Sequence, residues 1–138
     1  MTILLSSTFT DNLLGTGTEG VATQIGSGTL IIYSGAAPAG PNESLSGNTA
    51  LATFTFSVAG SQGSPAGGVM DLAFSATTVT AAASATATFF RIASSGSTAL
   101  IQGTVAVSGG DFNLSSTAIT SGDNVTITGT PTISWPVS

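Results

Sequence analysis

Polar and apolar positions alternate along most of this chain, and the period is two. In residues 51–58, Ala52, Phe54, Phe56 and Val58 alternate with Leu51, Thr53, Thr55 and Ser57, placing the aromatics on one face of a strand. Val125 and Ile127 alternate with Asn124, Thr126 and Thr128, and Ile133 and Trp135 with Thr132 and Ser134. Residues 99–107 put Ile101, Val105 and Val107 on one face. Leu30-Ile31-Ile32-Tyr33 is continuous instead, the pattern of a strand covered on both sides. No segment carries a helical period.

Turn signals cut these runs apart. Residues 34–48 form a long loop with Pro38 and Pro41 fixing its backbone, and residues 57–68 hold a second loop around Gly60, Gly63, Pro65, Gly67 and Gly68. Ser94-Ser95-Gly96-Ser97 predicts a tight hairpin between strands at 85–93 and 99–107. Ser108-Gly109-Gly110-Asp111 and Ser121-Gly122-Asp123 close later turns. The expectation is an all-β, single-domain antiparallel β-sandwich or jelly roll of about eight short strands. Residues 1–28 are set apart as an N-terminal arm or peripheral strand, and 29–138 as the sandwich, with a first strand of the same sandwich as the equal alternative for the N-terminal segment. Within the arm, Ile3, Leu5 and Phe9 could make a strand, while 15–28 is rich in Gly and Thr.

Composition narrows the chemistry. Apolar residues are 41% of the 138, enough for a core, so the scarcity of charge does not signal disorder. Charged residues are only 5%, against about 25% in ordinary soluble domains. Arg91 is the one basic residue, and Asp11, Glu19, Glu43, Asp71, Asp111 and Asp123 are scattered rather than run together. Nucleic-acid binding is disfavoured, because phosphate contacts need clustered Lys and Arg. So neutral a surface points to extracellular exposure or to burial against partners, and the size of the deficit favours partners.

There is no cysteine and no histidine. Serine is plentiful but lacks a His or Lys base, which closes the usual routes to nucleophilic catalysis. Structural zinc is excluded by the same absence, and no acids stand at calcium-loop spacing, although Asp111 and Asp123 with loop carbonyls remain a candidate cation site. A carboxylate pair could do acid–base work, but Asp111 and Asp123 both fall in turns. Gly15-Thr16-Gly17-Thr18-Glu19-Gly20 matches a dinucleotide-loop string but has no strand–helix context and reads as loop. Three sequons, at Asn42, Asn113 and Asn124, read as chance matches in an Asn/Ser/Thr-rich chain. No cofactor is expected, and the protein is not expected to be an enzyme. Met1-Thr2-Ile3-Leu4-Leu5 lacks a basic leader and no apolar run approaches membrane length, so cytoplasmic synthesis without export or membrane is expected.

Arg91, in Thr88-Phe89-Phe90-Arg91-Ile92, is either a solvated strand residue or half of an ion pair across a subunit interface. Trp135 is either a core edge or an anchor in a partner pocket. Ile3, Leu5, Phe9, Arg91 and Trp135 are the candidate interface residues.

Two segments carry a family resemblance. One is LIIYSGAAPAGPNESLSGNTALATFTFS, residues 30–57, a strand, a Gly-Ala-Pro loop and a Leu-Ala-Thr strand. The other is 85–128, with Phe89-Phe90-Arg91-Ile92, the Ser-Ser-Gly-Ser turn, Gly103-Thr104-Val105, Asp111-Phe112-Asn113-Leu114 and Gly122-Asp123-Asn124-Val125-Thr126. The arrangement resembles small Ala/Thr/Gly-rich structural proteins of tailed-bacteriophage virions, over about two thirds of the chain. The resemblance implies a virion protein assembled in the host cytoplasm, with the capsid decoration (cement) type foremost. It implies the major capsid protein or another virion protein as partner, and a homo-oligomer with a trimer favoured. Neck, tail, baseplate or fibre-associated proteins, and a carbohydrate- or receptor-binding module, are the alternatives.

Overall fold

The computed structural model describes residues 4–5, 20–63 and 69–134. The protein is an all-β single domain. Its main sheet runs β1 (Leu4–Leu5), β7 (Ala99–Ala106), β6 (Ala85–Ala93), β2 (Thr29–Ser34) and β3 (Ala50–Thr55), in that spatial order and antiparallel at each step. β8 (Phe112–Asn113) flanks β7, and β9 (Ala118–Ile119) flanks the start of β6. Two ribbons complete the body: β4 (Val69–Asp71) with β11 (Thr132–Ser134), and β5 (Thr78–Thr80) with β10 (Asn124–Thr126). Backbone bonds tie the ribbons to the sheet edge, Ser75 N–H donating to the Thr55 carbonyl and Ala82 N–H to that of Leu51.

Among the described residues eleven strands stand where about eight were expected, because several are two- or three-residue pieces that turn chemistry interrupts. One pair, β7–β8, is parallel. In the short connection between them Gly109 adopts φ +75°, a left-handed conformation that glycine takes without strain. One short helix, α1 (Val21–Ile25), was not anticipated; at five residues it is too brief to display a period. Its Ile25 is fully buried, so the packed body already includes residues within the first 28.

The core forms where the two-residue period meets the sheet. Leu30, Ile32, Phe54, Phe90, Ile92 and Ile101 are buried on one face, and the ribbons add Met70, Val125, Ile127 and Ile133. Phe112 is the hub of an aromatic cluster, with ring centroids 5.6 Å from Phe90, 6.2 Å from Phe74 and 6.3 Å from Phe54. Phe56 stacks on Phe74 at 4.6 Å. Room for Phe90 depends on Gly103 opposite it: a Cβ there would lie 2.7 Å from Phe90 Cε1 and 3.0 Å from Asp111 Oδ2. The alternation ends where the strands end, so Val58 and Val107 are exposed instead of continuing their faces.

Candidate functional site: a loop clamped by a buried arginine

The other face of the sheet carries the one cation. Arg91 lies opposite Ile31 on β2 and Gln102 on β7, so all three side chains share that face. The 35–49 connection between β2 and β3 folds back to meet it. Arg91 Nε donates to Gln102 Oε1 (2.9 Å), and Nη2 donates to the carbonyls of Gly40 (3.0 Å) and Glu43 (2.7 Å). Gln102 Nε2 donates to the Pro38 carbonyl (2.8 Å). Three loop carbonyls are thus held by two strand side chains, and Arg91 is only 7% exposed and Gln102 only 2%.

The guanidinium suits this task because its rigid fork can serve several carbonyls at once. Burial lowers its pKa from the ordinary arginine value, opposed by the nearby Tyr33 and Glu43, and it stays charged. Among the described residues its hydrogen bonds go to neutral acceptors, two backbone carbonyls and a side-chain amide. Tyr33, half-buried, stacks on Phe89 with centroids 5.3 Å apart and planes 16° apart. Burial raises the Tyr33 pKa, with Arg91 pulling the other way.

The loop stem is fastened separately. Asn48 Nδ2 donates to the carbonyls of Ser34 and Ala36, and its Oδ1 accepts from Ser46 N–H. Thr88, at a bulge between β6 and β2, donates to the Gly35 carbonyl at 2.6 Å. The result is a loop ordered from both ends and the middle, presenting Glu43 and Leu45 outward.

A second polar cluster closes the open edge of β7. Asp111 Oδ2 accepts from the Thr104 backbone N–H (2.8 Å) and hydroxyl (2.9 Å), standing in for a neighbouring strand. Asp111 Oδ1 is buried without a hydrogen-bond partner among the described residues. Asp123 lines a different depression, with Ser115, Ser116 and Asn124, and the structure does not bring the two carboxylates into one site. Among the described residues no group of three or more potential metal ligands comes together, and no helix is long and apolar enough to cross a membrane.

Of the candidate interface residues, Arg91 is the clamp just described. Leu5 lies in β1, paired with Ile101; Ile3, Phe9 and Trp135 lie outside the described residues. Gln102 and the loop carbonyls were missed by reading the sequence. A glutamine amid the apolar positions of a predicted strand was the available signal. Comparison with protein-family models, with curated proteins and with solved structures finds no match to this chain.

Proposed function

We propose that the protein is a structural component of a bacteriophage virion, and most concretely a decoration protein on the capsid lattice. The observation that carries this reading is the withdrawal of the chain's one cation into the fold. With Arg91 buried, the described surface holds hydroxyl, amide, methyl and backbone groups, with Glu43, Asp71 and Asp123 as its exposed charges. Charge of mixed sign normally keeps a free domain soluble, and a surface without it suits a subunit covered by neighbours. The clamped loop supports the same reading, since a loop ordered in advance loses little entropy on docking.

As a decoration protein it stabilises by mass action, binding the assembled shell and not its dissociated subunits. The test is to label virions with an antibody against the protein and locate it by electron microscopy, alongside co-sedimentation with purified shells. Label repeating over the capsid lattice supports the proposal. Label confined to the tail or fibres, or none on virions, overturns it.

A further inference from the structure

β1 is two residues long, pairing Leu4 with Gln102 and Leu5 with Ile101 on the outer edge of β7. We propose that in the assembled protein this strand is exchanged, so that Leu4–Leu5 of one copy pairs with β7 of a second copy.

The edge is a defined slot. β8 and the Asp111 carboxylate occupy the β7 edge from Thr104 to Ala106, leaving the stretch around Ile101–Gln102 for an added strand. Exposed edges are commonly guarded by Lys or inward-pointing charge, and this chain has no lysine. No lysine guards this edge against a second copy.

The pairing is poorly committed to its own chain. Each backbone hydrogen bond contributes about 0.5–1.5 kcal/mol net, and ordering each residue costs about 1–2 kcal/mol. Two pairs therefore come out near balance. Between copies the same backbone pairs form, and the facing neutral surfaces are buried as well.

The tether reaches. Fourteen residues, 6–19, separate β1 from Gly20. Extended, they span at most about 45–50 Å, at roughly 3.3–3.6 Å each. A body of this length is about 35–40 Å across by the usual scaling of size with chain length. The occupant of the slot is therefore residue 4–5 of a sister subunit, whether or not the assembly sits on a capsid.

The absence of native cysteine makes the test clean. Directly opposed antiparallel residues have Cβ atoms about 4.5–5.5 Å apart, near the span of a disulfide. Purified Leu5→Cys copies carrying a mass tag are mixed with Ile101→Cys copies, and separately with Thr55→Cys copies, whose thiol lies exposed on β3 at the opposite sheet edge. Under mild oxidation, exchange gives a tagged heterodimer with Ile101→Cys at least ten times as abundant as with Thr55→Cys. A Leu5→Cys/Ile101→Cys double variant then gives covalent dimers or larger species. If the double variant closes only within single chains and the mixture matches the Thr55→Cys background, the exchange is refuted. Should Ile101→Cys not fold by circular dichroism, isotope-filtered NOEs decide on the native sequence. In a mix of labelled and unlabelled copies, a Leu5–Ile101 NOE between chains supports exchange, and its absence refutes it. These measurements use no capsid, so their failure leaves the virion proposal standing.

Discussion

Arg91 shows how one residue can turn a strand pattern into a site. A cation in the middle of a β-strand is expected to reach water, and here it is 7% exposed, with two loop carbonyls and one side-chain amide accepting from it. Replacing it with Met keeps the apolar stem but leaves the Gly40 and Glu43 carbonyls and Gln102 Oε1 without their donor. That should cost about 1–3 kcal/mol in chemical denaturation and open residues 36–47 to proteolysis. Arg91→Lys should fall nearer to Arg91→Met than to the native protein, because a point charge cannot span the same acceptors. Tyr33 offers a direct readout of the same environment. It is the only tyrosine, so ultraviolet absorbance titrates it alone, and burial should set its midpoint above the ordinary phenol value of 10. Its folded pKa is the raised one, so its contribution to stability is whole below pH 10 and is lost as pH rises through the folded value. Tyr33→Phe should remove that alkaline loss from the stability–pH curve. The sequence singled out Arg91 and set a glutamine amid the apolar positions of a predicted strand, but that the two meet, and hold a loop, depends on contacts between separate strands that no local pattern carries.

At the scale of elements, the sequence was informative wherever a strand buries one face and ends at a turn. The hairpin around Ser94–Ser97 joins β6 and β7 as expected, with Ser97 at φ +65° and Ser94 N–H bonded to the Thr98 carbonyl. Phe54, Val125, Ile127 and Ile133 fall inward as their alternation predicts. What escaped was carried by contacts distant in sequence or by elements too short for a period. The clamp joins residues 48–64 positions apart, and α1 is five residues long. The N-terminal boundary follows from these elements. Ile25 is fully buried, Phe56 N–H donates to the Gly28 carbonyl and Ser27 N–H to that of Ser57. Deleting residues 1–19 should therefore leave a folded β domain by circular dichroism. Deleting 1–28 removes Ile25 and both backbone ties, and should cost at least about 3 kcal/mol, since emptying one buried Ile site alone costs about 2–5 kcal/mol. Equal thermal midpoints for the two truncations would show that α1 and the Ser27–Gly28 ties contribute nothing to the body.

At the scale of the whole molecule, the same sparse chemistry shapes both the fold and its surface. Almost every polar side chain is a hydroxyl or an amide, and inside the protein these close backbone bonds that strands leave open: Gln62 serves both the N–H and the carbonyl of Ala73, and Gln102 serves the carbonyl of Pro38. Outside, the same side chains leave a surface on which the described charges are carboxylates alone. Any contact such a surface makes must rest on apolar burial, shape and neutral hydrogen bonds, because it has no cation to offer a partner's acid. Ion pairs across a contact weaken as salt rises, and the screening length falls from above 10 Å below 0.1 M to about 3 Å at 1 M. Apolar contacts do not weaken in this way. Self-association by sedimentation, and attachment to shells by co-sedimentation, should therefore change by no more than about threefold across that range, with any trend toward tighter binding at high salt. A loss of tenfold or more would mean that Glu43, Asp71 and Asp123 face a basic partner, and that steering by opposite charge, rather than a neutral covered surface, holds the protein in place.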